Sequence, residues 1–339
     1  MSVNFSWPIF GHNKQISFLQ NTLKQGNLAN AYLFYGAKGL GKKMIAKYFV
    51  QSLFCTDDLK PCQNCLACLK MNKGLQQNFL YLSALKTKDD TEDTQVEQVR
   101  NFLSNLSLTS FDGGYKLAII YAVDKLNIFS LNALLKVIEE PPKNTTIILI
   151  ADQINNLPAT VISRCQLLKF QPLNKKDMSA WLETFSLAEV DQQTILNLSF
   201  GKPGLALEYI EDNLVNFKKD CQFLLKILND NTFVAWQDLE HWFGILKKEN
   251  PQAKVYELAH ITTHYLDLWQ LLLRDILWHK LNRPALNVLF SENIAKISQK
   301  YSVTKILNNL LSINKIRRQL KNNVTPQLVW ENLLLDLKI

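Results

Sequence analysis

No run of about 18 uncharged apolar residues occurs anywhere in this chain. Its strongest candidate for a membrane span, residues 265–278, carries Asp267, Arg274 and Asp275 within an amphipathic pattern, so no membrane partner is expected. The first residues also lack the charged-then-apolar layout of a secretory leader. A cytoplasmic protein is therefore expected. In a reducing compartment its six cysteines argue for metal binding or simple burial and against disulfides. With 339 residues, 47% apolar and 20% charged, there is material for the cores of two or three domains. The formal charge of +8 is uneven, with 18 Lys+Arg against 12 Asp+Glu in residues 1–170 and 20 against 18 in the remainder. That basic excess suits a bound nucleotide or nearby nucleic acid, and equally a solvated basic surface.

The most ordered pattern runs from Lys116 to Cys165. The apolar runs 117–123 and 147–151 are continuous, as in strands buried on both faces of a parallel sheet. Between them Leu131, Leu134, Leu135 and Ile138 recur at helical spacing until Pro141 ends the helix. Asp124 falls at the carboxyl end of the first strand, where open α/β sheets place ligands. A helix-sized segment, 159–165, then ends in Ser163-Arg164-Cys165.

Upstream, residues 1–30 hold Gly11-His12, read as a structural turn, and a helical face of Ile16, Leu19 and Leu23. Ala31–Tyr35 reads as a strand, followed by Gly36-Ala37-Lys38-Gly39-Leu40-Gly41-Lys42-Lys43 and a helix from Met44 to about Phe54. Strand, glycine loop and helix form the context of a phosphate-binding loop. Gly36, Gly39 and Gly41 would let backbone N–H groups converge on phosphate, and Lys42 would reach the outer phosphates. Lys43 stands where a hydroxyl helps to hold Mg²⁺, which bears on hydrolysis more than on folding. ATP or ADP binding and a vestigial loop both remain open. Next, Cys55, Cys62, Cys65 and Cys68 lie within fourteen residues, three of them at C-x₂-C-x₂-C spacing. Four thiolates would close a tetrahedral, structural Zn²⁺ site; free buried thiols are the competing reading, and the spacing fits no ferredoxin pattern well. Cys165 and Cys221 read as core residues.

Phe79–Leu82 reads as a strand, residues 86–95 as a polar loop, and Gln95 as the start of a helix with Val96, Val99 and Phe102 inward. A turn over Phe111-Asp112-Gly113-Gly114 and a fifth strand, Leu167–Phe170, complete this part. Beyond Gln171-Pro172-Leu173 only helices are expected: about 175–185, 187–198 and 205–227, then 230–339 with Tyr265, Leu266, Trp269, Leu272, Leu273 and Ile276 on one face. Such faces serve a bundle core or a subunit interface, and periodicity does not separate the two.

Taken together these blocks resemble the AAA+ clamp-loader subunits of bacterial DNA polymerase III, most closely the delta-prime branch of that family. The marks are Ala31–Phe34 before the glycine loop, the four-cysteine insertion after the first helix, Asn132–Lys136 with Glu139-Glu140-Pro141-Pro142, and Leu157-Pro158 leading to Ser163-Arg164-Cys165. The resemblance covers the N-terminal half in detail and residues 171–339 by layout. It implies an α/β AAA+ P-loop domain with a parallel sheet over 1–170, carrying the zinc module at 55–68. A helical lid over 171–212 and an all-α collar domain over 213–339 would follow.

It also implies a role: a subunit in a hetero-oligomeric ring with gamma/tau motor subunits and a delta subunit, loading the sliding clamp onto primer–template DNA. Motor subunits of the family follow the strand-end aspartate with a glutamate that activates water, whereas Lys125 follows Asp124 here. The hydroxyl-bearing sensor falls at Ala151 or Asp152, and the lid arginine near Gly204. With Lys43, four parts of a hydrolytic site are altered, which implies a subunit that does not fire. Arg164 survives, at the position from which such rings send an arginine into a neighbour's ATP site; a surface or salt-bridged arginine is the alternative. Two departures from the family are a short Cys55–Cys62 spacing and Gln76-Gln77-Asn78 in place of His-Pro-Asp. Two other functions compete: an active motor-type ATPase using Lys42, and a zinc-dependent nucleic-acid-binding protein with a vestigial loop.

Overall fold

The computed structural model describes residues 4–85, 92–108, 114–322 and 324–338. Of the polar loop expected over 86–95, residues 86–91 lie outside the described residues, as do residues 111–113 of the turn expected over 111–114. Through the first part of the chain run β1 (Asn4–Phe5), α1 (Asn13–Gln25), β2 (Ala31–Tyr35), α2 (Lys42–Phe54), β3 (Leu59–Lys60), α3 (Leu66–Asn72) and β4 (Phe79–Ser83). Then come α4 (Glu92–Ser107), β5 (Lys116–Tyr121), α5 (Ile128–Glu139), β6 (Thr145–Ala151), α6 (Ala159–Ile162), β7 (Gln166–Lys169) and α7 (Lys175–Leu182). The remaining helices are α8 (Glu189–Leu198), α9 (Pro203–Glu208), α10 (Leu214–Asn229), α11 (Thr232–Glu249), α12 (Val255–Lys280), α13 (Ser291–Ser298), α14 (Val303–Lys321) and α15 (Pro326–Lys338).

Contacts divide the chain into two compact units. One comprises Met1–Phe185 and Phe200–Leu205, the other Ser186–Ser199 and Ala206–Ile339. The expected lid segment, 171–212, is thus distributed between them.

In the first unit five parallel strands form one sheet in the order β4-β5-β6-β2-β7. The continuous apolar runs are explained by burial on both faces. Leu33, Ile120, Ile147 and Leu149 point to one side, against Val99, Phe102 and Leu106 of α4 and Leu131, Leu134 and Ile138 of α5. Their alternates Tyr32, Phe34, Ile119, Ile148 and Ile150 meet Leu19 of α1 and Ile45, Phe49 and Val50 of α2 on the other. Because β2 lies between β6 and β7, successive connections diverge there, and the crevice at its carboxyl end is the sheet's natural ligand position. The register sets Tyr35 opposite Ala151 and Lys169, so the glycine loop starts level with the end of β6. A two-residue parallel pair, β1 with β3, has no signature in the sequence and ties the N-terminal segment to the cysteine-bearing loop.

The second unit is helical. Leu266, Trp269, Leu272, Leu273 and Ile276 of α12 are buried among residues of α10, α11, α14 and α15. Trp269 Nε1 donates to Asn309 Oδ1 (2.8 Å), whose Nδ2 donates to the Leu333 carbonyl (2.8 Å), so one amide links three helices. The charge inside this apolar stretch is partnered: fully buried Asp275 accepts the backbone N–H groups of Leu286 (3.3 Å) and Asn287 (2.9 Å) and pairs with Arg274 (3.3 Å). Cys221 is buried in the same core. No helix among the described residues is long and apolar enough to cross a membrane.

Candidate functional site

The glycine loop leaves β2 with Gly36, Gly39 and Gly41 all at positive φ (144°, 84° and 83°). At Gly36 the reason is also steric, since a Cβ there would stand 2.3 Å from the Phe170 carbonyl oxygen. Gly41 caps α2 in the left-handed conformation without a side-chain cap, and intrahelical bonding begins with Ile45 N–H to the Gly41 carbonyl. The N–H groups of the first turn are therefore left for a ligand at the helix's positive end. α2 opens at Lys42, two residues earlier than the apolar pattern indicates. His12, at the entrance to α1, sits against the Phe170 ring (5.1 Å between centroids) and hydrogen-bonds the Leu40 carbonyl through Nε2 (3.0 Å). Burial lowers its pKa, so it acts as a neutral buttress of the loop.

Lys42 is only 4% exposed. Its ammonium donates to the carbonyls of Gly36 and Ala37 (2.8 Å) and to Asp152 Oδ1 (2.9 Å). Asp124 lies just past β5 on a 3₁₀ turn, Val123–Lys125, rather than on the strand itself. It is buried, and its two oxygens accept the N–H groups of Asp152 and Gln153 (3.2 Å each). Gln95 fastens the same turn by accepting the Asn127 N–H (3.0 Å). Lys125 is exposed. Lys43 faces the rings of Tyr81 (4.9 Å) and Tyr121 (5.5 Å). Gly204, at the start of α9, donates its N–H to the Gly39 carbonyl (2.8 Å), and a Cβ there would meet Gly39 Cα at 2.8 Å. The structure thus gathers Gly36, Gly39, Gly41, Lys42, Asp124 and Asp152 at one end of the sheet. The pairing of Lys42 with Asp152 had no sequence signal, the two being 110 residues apart.

Arg164 is not part of this group. It precedes β7, at the opposite end of the sheet from the loop, and β7 alone accounts for about 13 Å between them. Its Nε pairs with Glu139 and its Nη1 donates to the Thr160 carbonyl (2.9 Å), with the arginine 37% exposed.

Cys55, Cys62, Cys65 and Cys68 bring four sulfur atoms within 4.8 Å of one another. Cys55 caps the end of α2 and Cys65 the start of α3, so two helix termini set the site. The Cys55–Cys65 sulfur separation is 3.9 Å, close to the edge of about 3.8 Å that four 2.3 Å metal–sulfur bonds define in a tetrahedron. The N–H groups of Cys62, Cys65 and Cys68 donate to the sulfurs of Cys55 (3.4 Å), Cys62 (3.2 Å) and Cys65 (3.5 Å), which stabilises thiolate charge. Burial opposes ionisation of Cys65, but hydrogen bonds from the Cys68 and Thr56 N–H groups and neighbouring thiols outweigh it and bring the thiol down to about 6. Burial pushes Cys55 and Cys68 up. The donor set and its geometry fit a metal ion such as zinc, and the short Cys55–Cys62 spacing does not prevent the four sulfurs from meeting.

Comparisons with known proteins agree with this architecture. The family described as "DNA polymerase III, delta subunit" matches residues 11–174. The DNA polymerase III subunit delta' of Bacillus subtilis is 26% identical over 330 residues, 95% of each chain. The subunit tau/gamma of Haemophilus influenzae is 33% identical over 199 residues, 58% of this chain but 27% of that protein. Among solved structures, a DNA polymerase III gamma subunit-related protein of Thermotoga maritima superimposes with a TM-score of 0.56, covering 96% of this chain and 98% of that one at 13% identity, which bears on the fold alone. With its parallel P-loop-like sheet and helical C-terminal region, the chain is similar along nearly its whole length to clamp-loader subunits of bacterial DNA polymerase III.

Proposed function

We propose that the chain is the delta-prime-type subunit of a clamp loader. It would sit in a ring with gamma/tau-type motor subunits and a delta-type subunit, helping to place a sliding clamp on primer–template DNA without hydrolysing ATP itself. The observation that carries this reading is the correspondence with a delta' subunit over 95% of both chains. The chemistry of the chain's own loop favours the non-hydrolysing form. No carboxylate follows Asp124, because Lys125 puts an ammonium where a water-activating base is needed. Lys43 supplies no hydroxyl for Mg²⁺, and both Asp124 oxygens already accept backbone N–H groups. Arg164, half-exposed and remote from Lys42, suits action on a neighbour's nucleotide. Cys55, Cys62, Cys65 and Cys68 would hold a structural zinc ion that fixes the ends of α2 and α3. Contact with DNA would run through backbone-directed basic groups and carry no sequence preference.

Reconstitution tests the reading. Motor and delta-type subunits, a sliding clamp and primed DNA are combined with and without this chain, and clamp loading is measured alongside ATP turnover by the isolated chain. Loading that requires the chain, with no turnover by the chain alone, is the expected result. The similarity to tau/gamma favours the second reading, an active motor. Turnover by the isolated chain that Lys42→Ala abolishes would establish that instead.

A further inference from the structure

A phosphate loop presents three things to a nucleotide: a lysine ammonium, backbone N–H groups, and a strand-end carboxylate for the metal. In this chain two of them are engaged by the protein itself. An ammonium has three protons to donate. Those of Lys42 go to the carbonyls of Gly36 and Ala37 and to Asp152 Oδ1. Of these partners only Asp152 is charged, and it forms with nearly buried Lys42 an ion pair of 2.9 Å. Asp152 is in turn held from behind, because Asp124 accepts its backbone N–H and that of Gln153. The first loop residue is pinned to the same strand end by Gly36 N–H to the Ala151 carbonyl (3.3 Å). On the far side the Gly204 N–H closes on the Gly39 carbonyl (2.8 Å). The pattern forms a continuous chain: Asp124 sets the backbone of residues 152–153, that backbone aims the Asp152 carboxylate, and the carboxylate holds Lys42.

We propose that Asp152 is a built-in counter-ion of the phosphate loop, taking the charge on Lys42 that a nucleotide phosphate would otherwise take, and is the residue that keeps nucleotide out of this chain. Two physical effects act together. A phosphate oxygen must separate an ion pair whose lysine is shielded from water, and it must approach a fixed negative charge. Neither effect depends on Lys125 or Lys43, so exclusion of nucleotide and loss of hydrolysis have separate causes. The inference deepens the reading of the chain's own loop as non-hydrolysing and rests on it.

The test is Asp152→Asn, which keeps the shape and an acceptor for Lys42 but removes the charge. Asp152→Ser, which replaces the carboxylate by a hydroxyl, is the second variant. Binding of MgADP, MgATP and inorganic pyrophosphate to the full chain is measured by calorimetry, with thermal unfolding to show that each variant is folded. Both variants should bind at least roughly tenfold more tightly than the parent chain, equivalent to a Kd ratio of one decade. Adding Lys42→Ala to either should erase the gain. Pyrophosphate should report the same gain, since it carries the phosphates without base or sugar. Equal affinity in parent and variants, or micromolar binding by the parent itself, overturns the proposal. So does a gain that survives Lys42→Ala. Clamp loading by the reconstituted complex is a separate readout: its failure would sink the subunit assignment and leave the binding result standing.

Discussion

Cys65 shows how one residue's environment sets the chemistry of a site. It caps α3, accepts the Cys68 N–H through its sulfur, and has its thiol brought down to about 6, while burial pushes its neighbours Cys55 and Cys68 up. In the metal-free cluster Cys65 is therefore the thiol readiest to bind, while Cys55 and Cys68 must lose their protons as the metal is bound. Two consequences follow in sign. Zinc uptake releases protons, and apparent zinc affinity rises with pH above neutrality as the remaining thiols become easier to ionise. Calorimetry of zinc binding in two buffers of different ionisation enthalpy should register more than one proton released per ion at pH 7. Cys65→Ser should lower affinity by at least about tenfold. Zinc binding with no proton release would contradict the assigned thiol states. The cluster was legible in the sequence because its ligands are local, two of its three intervals being C-x₂-C. The pairs that engage Lys42 and Arg164 were not, since Asp152 and Glu139 meet them only through the sheet's topology.

Among the elements, α4 depends on a residue that the sequence presents as no more than the start of a strand. Lys116 begins β5 and is buried, yet its ammonium donates to the carbonyls of Asn105 (3.1 Å), Leu106 (3.3 Å) and Leu108 at the end of α4. Those are the carbonyls a helix leaves unpaired, and a cation there also opposes the negative end of the helix dipole. Burial lowers the lysine pKa, so the charge is held at a cost that these three acceptors offset. Lys116→Met keeps the apolar stem and removes the cap; it should destabilise the chain by about 1–2 kcal/mol in chemical denaturation. An unchanged midpoint would show that water caps the helix as well as the lysine does. The three central strands, β2, β5 and β6, are readable in advance because both-face burial leaves uninterrupted apolar runs. Helix ends are less so. α4 opens at Glu92, where Gln95 is expected, because Glu92, Asp93 and Thr94 form a polar first turn that carries no apolar signal. The helix expected over 205–227 is instead α9, a π-helical stretch at Tyr209–Asn213, and α10, since a single widened turn hardly changes the spacing of apolar residues. β1 and β3, two residues each, are too short to show any period.

At the scale of the whole molecule, the proposed contribution of this chain to catalysis lies outside its own loop. The sheet separates the two charged features: Lys42 stands at its carboxyl end, tied to Asp152, and Arg164 at its amino end, tied to Glu139. On the proposed reading, a subunit whose own loop does not hydrolyse could still offer an arginine to a neighbour, because the two features lie at opposite ends of the sheet. Arg164 is held by one carboxylate, the Thr160 carbonyl and the Ser163 hydroxyl and is 37% exposed, so its guanidinium fork can turn to a phosphate without uncovering a core. Arg164→Ala should leave the isolated chain's stability within about 0.5 kcal/mol of the parent, as for an exposed ion pair. In the assembled loader, single-turnover hydrolysis at the adjacent motor site should fall by about 10³-fold, the lower end of what an arginine supplied in trans is worth. Arg164→Lys keeps the charge but loses the bidentate fork, and should recover only part of that rate. Assembly, followed by size-exclusion chromatography, should be unaffected in both variants, which separates a catalytic loss from a failure to join the ring. An Arg164→Ala loader that assembles and hydrolyses at the parental rate would return Arg164 to the role of a surface residue paired with Glu139.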